Sequence, residues 1–275
     1  GEISLILPTD FIVKTGEKKT IDGIRFVFIS APNSEAPAEM LFYLPDLKAL
    51  CAAEDATHTM HNLYTLRGAK MRDAKAWAHY LNQTMEMFGE KAEVVFAQHH
   101  WPIWGKDRVV DFLEKQRDLY KYMHDQSLYL ANQGYTMLEI GEMIKLPKEL
   151  SQEWYNRGYY GTLNHNAKSV YCFYLGWFDG NPSTLHQLPP LETGQKMVEY
   201  MGGAEAILEK AQRDYDQGNY RWAAQVLNHL VFAEPSNQKA KDFLANILEQ
   251  LGYQSENGPW RNFYLTGAQE LRNGM

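Results

Sequence analysis

Cysteines are scarce in this sequence, and long apolar runs are missing. Only Cys51 and Cys172 occur among 275 residues. One disulfide between them is possible, but a disulfide framework and a cysteine-based zinc knuckle are excluded. No apolar run approaches the roughly 20 residues that a membrane-spanning helix needs. The N-terminus also lacks the basic leader and cleavage pattern of a signal peptide. Because Gly1 opens directly into strand-like sequence, we expect further chain upstream.

Positive charge is also in short supply. The 27 Lys and Arg residues are outnumbered by 34 Asp and Glu residues, which gives a formal net charge of −7. Without a basic stretch the chain has no footprint for a phosphate backbone, so a nucleic-acid partner is not expected. An anionic substrate would be repelled at long range, and any anion site must therefore be locally positive. The 45% hydrophobic content is enough to build one large core or two ordinary ones.

The first hundred residues have the pattern of a layered α/β unit. Short β-type runs at 11–14, 24–29, 40–44 and 47–51 alternate with turn signals such as Asp22-Gly23 and Pro45-Asp46. An amphipathic segment over 73–88 predicts a helix, and the apolar run 93–97 predicts a buried strand. Strands and helices mixed in this order are typical of an α/β fold.

From about Gly105 onward the pattern becomes helical. Apolar residues recur every three or four positions, with further helix starts at Thr136 and Pro147, and a long loop is predicted over 176–190. Helices are then predicted over 204–216, 220–233 and 235–252, with spacings that resemble a tetratricopeptide repeat. One full repeat is fewer than the three or so that a freestanding array needs, which favours a plain helical hairpin over a peptide-binding groove. We therefore divide the chain into regions 1–106, 107–200 and 201–275.

Three side chains that can bind metals follow three of the predicted strands. Glu35 comes after the run 24–29, Glu54 ends the run that begins at residue 47, and His99-His100 follows the run 93–97. The ends of strands are where open α/β sheets place their sites. Carboxylate oxygens and imidazole nitrogens suit zinc, and a carboxylate can bridge two ions. Taken singly, each glutamate is better explained as an ordinary polar loop residue and the histidine pair as structural.

Longer motifs in a fixed order resemble the alkyl sulfatases, zinc enzymes of the metallo-β-lactamase superfamily that hydrolyse dodecyl sulfate. These motifs are EAPAEM at 35–40, HTMHNLYTLRGA at 58–69, HHWP at 99–102, RGYYG at 157–161, GWFDGNP at 176–182 and WRNFYL at 260–265. The resemblance covers essentially the whole chain. It implies the second half of a metallo-β-lactamase αββα sandwich, followed by an all-α dimerisation region with the tetratricopeptide-like hairpin.

The resemblance also implies a two-zinc site. One zinc is held by Glu35 and two histidines of a His-x-His-x-Asp-His motif. The second is held by the Asp and last His of that motif and by His99, with His100 as the alternative, and Glu54 bridges both ions. The motif itself is absent from this sequence, and His58-x-x-His61 is not a substitute for it. Either an upstream segment supplies the motif, or the chain binds no zinc pair.

The same resemblance assigns substrate residues. Asn62 and Arg67 are similar to the family's sulfate-binding pair, and a planar guanidinium can donate two parallel hydrogen bonds to sulfate oxygens. An arginine at position 67 is similar to enzymes that act on primary alkyl esters. His165, which we expect in a loop, resembles a histidine near the sulfate that can donate a proton or hydrogen bond.

Other interpretations stay open from the sequence. The fold can serve hydrolysis of another ester, such as a phosphate ester or thioester, or of a lactam. Alternatively, the chain is a helical dimerisation and scaffold module without activity of its own, which the absent metal motif favours. The resemblance further implies a homodimer built mainly from 107–200, an additional C-terminal domain beyond Met275, and a periplasmic or secreted location.

Overall fold

A computed structural model describes residues 3–274 of the chain. The chain folds into two compact units, one that extends to Trp177 and one that begins at Phe178. This boundary does not coincide with the boundaries after residues 106 and 200 that were inferred from sequence patterns. Those two boundaries stay predictions.

The first unit is built on one six-stranded sheet whose strands follow each other in chain order. Neighbouring strands are antiparallel, except that β4 and β5 are parallel. The strands are β1 (Lys18–Ile21), β2 (Ile24–Ser30), β3 (Met40–Leu44), β4 (Ala49–Cys51), β5 (Val94–Phe96) and β6 (Ile103–Trp104). A parallel pair requires a crossover connection, and helix α1 (Ala74–Phe88) supplies it. The α/β unit predicted from the sequence is thereby confirmed, and its sheet is mixed.

The first strand is not where the sequence predicted it. Residues 11–14 form no strand, and Phe11 and Val13 are 64% and 78% exposed. The edge strand is β1, which pairs with β2 through a two-residue turn at Asp22-Gly23. Both turn residues have positive φ (51° and 82°), as a tight hairpin requires. The prediction was wrong because the turn fixes the register, and an exposed edge strand needs no apolar run.

Helices cover one face of this sheet and continue beyond it. They are α1, α2 (Lys106–Asn132), α3 (Met137–Met143), α4 (Lys148–Ser151) and α5 (Leu163–Leu175). The core of the first unit joins strand residues such as Ile29 and Leu50 to Trp77 on α1 and Tyr120 on α2. Asp73 caps α1 by accepting hydrogen bonds from two main-chain amides, and Thr136 caps α3 through a capping box with Glu139.

Within residues 178–274 the second unit contains helices and connecting loops, without strands. Its helices are α6 (Pro190–Tyr200), α7 (Ala204–Asp216), α8 (Tyr220–Ala233), α9 (Gln238–Gln254) and α10 (Gly258–Asn273). The bounds of α7 and α8 match the prediction, and Ile207, Leu227 and Ile247 are fully buried between helices α7, α8 and α9. The likeness of this hairpin to a tetratricopeptide repeat stays a prediction.

Two helices were missed in the sequence. Helix α5 begins where we expected a loop, and α6 begins at Pro190, where the predicted loop was expected to end. Both Cys51 and Cys172 are free thiols, so the disulfide that the sequence allowed is not formed. Within residues 3–274, no helix is both long and apolar enough to cross a membrane.

Candidate metal and sulfate site

Glu54 lies just after β4, in a tight turn whose preceding residue, Ala53, has a φ of 48°. Nε2 of His61 lies 3.1 Å from its Oε2, and Nε2 of His99 lies 3.1 Å from its Oε1. The two imidazoles therefore occupy both oxygens of one carboxylate. The hydrogen bond from His61 is the main cause that lowers the pKa of Glu54 to about 2, and burial opposes it. Glu54 is consequently ionised at neutral pH.

Glu35 reaches the same place from the loop that follows β2. One ligand atom each of Glu35, Glu54 and His61 lies within 4.8 Å of the other two. The side chain of His61 is only 3% exposed, whereas His99 is 60% exposed and contacts Glu54 from the solvent side. Carboxylates and imidazoles are donors that zinc accepts, so Glu35 and Glu54 with one of the two histidines fit a metal ion.

Further acidic groups crowd this end of the sheet. Burial, together with the neighbouring charges of Glu35 and Glu54, raises the pKa of Glu39 to about 7. Complete burial raises the pKa of Asp55 well above its ordinary value. Carboxylates packed this closely repel one another when they are ionised, which costs free energy unless protons or a cation neutralise them. The charge of the site therefore favours a bound cation.

Arg72 provides positive charge beside these acids. Its Nη2 donates to Oε1 of Glu35, and its Nε donates to the main-chain carbonyl of Glu35. Its Nη1 donates to the main-chain carbonyl of Asn62 at 2.9 Å and also to Oδ1 of Asn62. One guanidinium thus connects a predicted metal ligand with a predicted sulfate-binding residue.

Buried aromatic residues support the segment that carries His61 and Asn62. The amide of His61 donates to the hydroxyl of Tyr120 at 3.1 Å. The indole of Trp77 stacks on Tyr120 with ring centroids 4.5 Å apart, and it donates to the carbonyl of Asp55 at 2.8 Å. Helices α1 and α2 therefore hold both the loop after β4 and the segment around His61.

Two predicted substrate residues are placed differently from the expectation. Arg67 is exposed and does not take part in the contacts among Glu35, Glu54, His61 and Arg72. His165 was expected in a loop but lies in the first turn of α5, where its amide donates to the capping hydroxyl of Thr162 at 3.0 Å. Burial lowers the pKa of His165 to about 4, so its imidazole is neutral at pH 7. Its role and that of Arg67 stay predictions.

The sequence reasoning missed two residues of this site. His61 was set aside because its spacing from His58 does not match the zinc motif, although it lies next to Asn62 in the same run. Arg72 carries no sequence signal except its place just before the helix cap Asp73. Only the fold brings Arg72 to Glu35, which is 37 residues away along the chain.

Residues 136–274 match the family model described as alkyl sulfatase dimerisation. The chain belongs to this alkyl sulfatase family. It is 58% identical over 275 residues to a linear primary-alkylsulfatase from Pseudomonas sp., covering all of this chain and 41% of that protein. It is 54% identical to the Saccharomyces cerevisiae alkyl/aryl-sulfatase BDS1, covering all of this chain and 43% of that protein.

A solved structure of an alkyl sulfatase shares the fold. The stereoselective inverting sec-alkylsulfatase Pisa1 from Pseudomonas sp. superposes with a TM-score of 0.97 and 48% identity, over 98% of this chain and 43% of that chain. The combination of a mixed sheet with a helical region is therefore that of an alkyl sulfatase. The chain spans less than half the length of the Pseudomonas and yeast relatives described above.

Proposed function

We propose that this chain contributes to a two-zinc site that hydrolyses primary alkyl sulfates such as dodecyl sulfate. Water and the ester give the alcohol, inorganic sulfate and one proton, with cleavage of either the S–O or the C–O bond. The observation that carries the proposal is the Glu54 carboxylate, whose oxygens each lie 3.1 Å from a histidine nitrogen, with Glu35 beside it. The alkylsulfatase relatives support the substrate class.

In this proposal the chain supplies about half of the metal ligands. Glu35 and His99 would each hold one zinc, Glu54 would be shared by both, and the His-x-His-x-Asp-His motif would come from an upstream segment. Bound zinc supplies Lewis-acid chemistry, since it polarises an ester oxygen and makes water nucleophilic at neutral pH. The low pKa of Glu54 keeps its carboxylate ionised, which is the form that binds a cation. The Pisa1 likeness supports an alkyl sulfatase sheet, and we propose that this sheet is one half of a metallo-β-lactamase sandwich.

Three residues act on the ester. Asn62 donates from its amide nitrogen to a sulfate oxygen, and Arg67 offers two parallel N–H groups to sulfate when substrate is bound. His165 is neutral at pH 7, so it acts as an N–H donor to the ester and not as a cation. An arginine at position 67 favours primary over secondary esters.

A second candidate function is a helical dimerisation and scaffold module without activity. The description of the matching family model, which covers residues 136–274, favours this function for the helical part. In either case we propose a homodimer formed mainly by residues 107–200. We also propose an exported protein, a further C-terminal domain and a tetratricopeptide-like hairpin in the second unit.

Zinc analysis separates these candidates. We expect about two zinc ions per protomer when the upstream segment is present, in line with a two-metal site, and dodecyl sulfate hydrolysis that a chelator abolishes. A protein that stays free of metal and inactive with that segment supports the scaffold module instead. Arg67→Ala then tests the substrate assignment, because unchanged turnover of dodecyl sulfate removes Arg67 from the site.

A further inference from the structure

Arg72 connects two loops that the proposed function needs to keep in register. Four donor–acceptor contacts join its guanidinium to Glu35 and Asn62, two of them to main-chain carbonyls and two to side-chain oxygens. The side chain of Arg72 is 15% exposed, and that of Glu35 is 16% exposed. Charged hydrogen bonds in such a shielded place are stronger and more directional than surface ion pairs.

The contact with Glu35 determines how this carboxylate meets a cation. An arginine is protonated at all relevant pH values and has only donors, so Arg72 cannot bind a metal itself. Because Arg72 donates to Oε1 and to the main-chain carbonyl of Glu35, it holds this carboxylate in one orientation, with a ligand atom within 4.8 Å of Glu54 and His61. Groups that orient a metal ligand in this way commonly change metal affinity 10- to 100-fold when they are removed.

The contact with Asn62 determines which end of the amide meets the substrate. Oδ1 of Asn62 accepts from Arg72, so the Nδ2 group with its two hydrogens is the end left to donate. A sulfate monoester presents only oxygen acceptors and therefore requires donors. With the amide turned around, Asn62 would present an oxygen to the anion and repel it.

We propose that Arg72 is a positioning residue for both halves of the site. It holds Glu35 for the metal and fixes the amide of Asn62 so that its N–H groups are presented to the sulfate. This inference rests on the proposed function, because it gives Glu35 and Asn62 the roles stated there. The segment between Asn62 and Arg72 contains Arg67, so the position that Arg72 fixes for Asn62 also limits where Arg67 can reach.

The test uses the protein with its upstream segment and compares Arg72→Met, Arg72→Lys and Asn62→Ala. Zinc affinity is measured by competition with a chromophoric chelator, and sulfate binding by inhibition with inorganic sulfate at saturating zinc. We expect Arg72→Met to weaken both zinc and sulfate binding at least about tenfold. Arg72→Lys keeps the positive charge but loses the planar set of N–H donors that contacts both Glu35 and Asn62. We therefore expect sulfate binding to fall by a similar factor. Asn62→Ala weakens sulfate binding and leaves zinc affinity unchanged.

A double variant and a matched control make the test specific. If Arg72 acts on sulfate through Asn62, then Asn62→Ala/Arg72→Met binds sulfate no more weakly than the weaker single variant. The control is Arg25→Met. Arg25 in β2 also forms an ion pair, with Asp46 between β3 and β4, and both of these side chains are exposed. We expect Arg25→Met to retain parental zinc and sulfate affinities.

Two results overturn the inference. One is parental affinity for both zinc and sulfate in Arg72→Met, and the other is full additivity of the two sulfate losses in the double variant. If Arg72→Met does not fold, the Arg72→Lys variant decides the test. It is measured at saturating zinc and must have an unchanged melting temperature. Weaker inhibition by sulfate than in the parent supports the inference, and inhibition equal to that of the parent contradicts it. An unsubstituted protein without zinc or alkyl sulfatase activity refutes the proposed function itself, which is a separate outcome.

Discussion

The side chain of Asn166 binds the main chain on both sides of Asn62, at His61 and at Leu63. Its Nδ2 donates to the carbonyl of His61 at 2.9 Å, and its Oδ1 accepts from the amide of Leu63 at 2.8 Å. The side chain is fully buried on α5, 105 residues away from His61 along the chain. One amide thereby satisfies two buried main-chain groups that no strand partner reaches.

We expect Asn166→Ala to destabilise the chain by about 2–6 kcal/mol, because it leaves a buried carbonyl and a buried amide unpaired at about 1–3 kcal/mol each. Urea unfolding monitored by tryptophan fluorescence measures this loss. The control Asn273→Ala changes an exposed asparagine and should stay within about 0.5 kcal/mol. Equal effects of the two substitutions would refute a structural role for Asn166.

Gly161 packs against the same segment. A Cβ at this position would lie 2.7 Å from the amide nitrogen of Asn62 and still closer to the main chain of His61. We expect Gly161→Ala to destabilise the fold by about 1–3 kcal/mol, since main-chain atoms cannot move aside as a flexible side chain does. Gly267→Ala is the matched control. Gly267 lies in the middle of α10, and a Cβ added there would lie 3.5 Å from its nearest neighbour, the side chain of Leu248. That substitution should be neutral or stabilising by up to about 1 kcal/mol.

His58 predicts a pH dependence of stability. Its ring stacks on Trp154 and Phe112 with centroids 5.1 and 5.2 Å away, and burial lowers its pKa to about 4. The unfolded chain therefore binds more protons than the folded chain between about pH 6.5 and pH 4. The contribution of a neutral His58 is fully present above pH 6.5 and is lost as the pH falls through 4.

Unfolding free energies of the metal-free chain at pH 7, 5.5 and 4.5 test this dependence. We expect His58→Phe to flatten the fall in stability over this range, because phenylalanine keeps the stacking and cannot take up a proton. The exposed His186→Phe variant should keep the slope of the parent chain. Parallel slopes for the parent and His58→Phe would contradict the assignment.

The two histidines at Glu54 should differ in their effects on metal binding. His99 is proposed as a ligand, so His99→Ala removes one coordination bond and should lower the zinc content of the complete protein from about two ions toward one. His61 orients Glu54, and His61→Ala should lower zinc affinity about 10- to 100-fold without removing a ligand. Equilibrium dialysis at several zinc concentrations distinguishes the two effects. If His61→Ala costs a full zinc ion, then His61 and not His99 is the ligand.

Much of this site could be predicted because strand ends are local features. The runs before Glu54 and His99 were recognised as strands, and the parallel pairing of β4 with β5 brings their ends together. This local reasoning could not find His61, Arg72 and Asn166. Their contacts depend on how the segment around His61 packs in the folded chain, and Arg72 and Asn166 have partners that are distant in the sequence. His165 was placed in a loop because the short apolar pattern of α5 is interrupted by asparagines, yet Thr162 caps the helix.

The shared carboxylate of Glu54 is the central claim, and zinc anomalous diffraction from crystals of the complete, zinc-loaded protein tests it most directly. We predict two anomalous peaks about 3.5–4 Å apart, the spacing of two-metal sites, with one Glu54 oxygen on each ion and Glu35 and His99 on different ions. The account is contradicted if Glu54 keeps its 3.1 Å hydrogen bonds to both histidines and the zinc ions bind elsewhere.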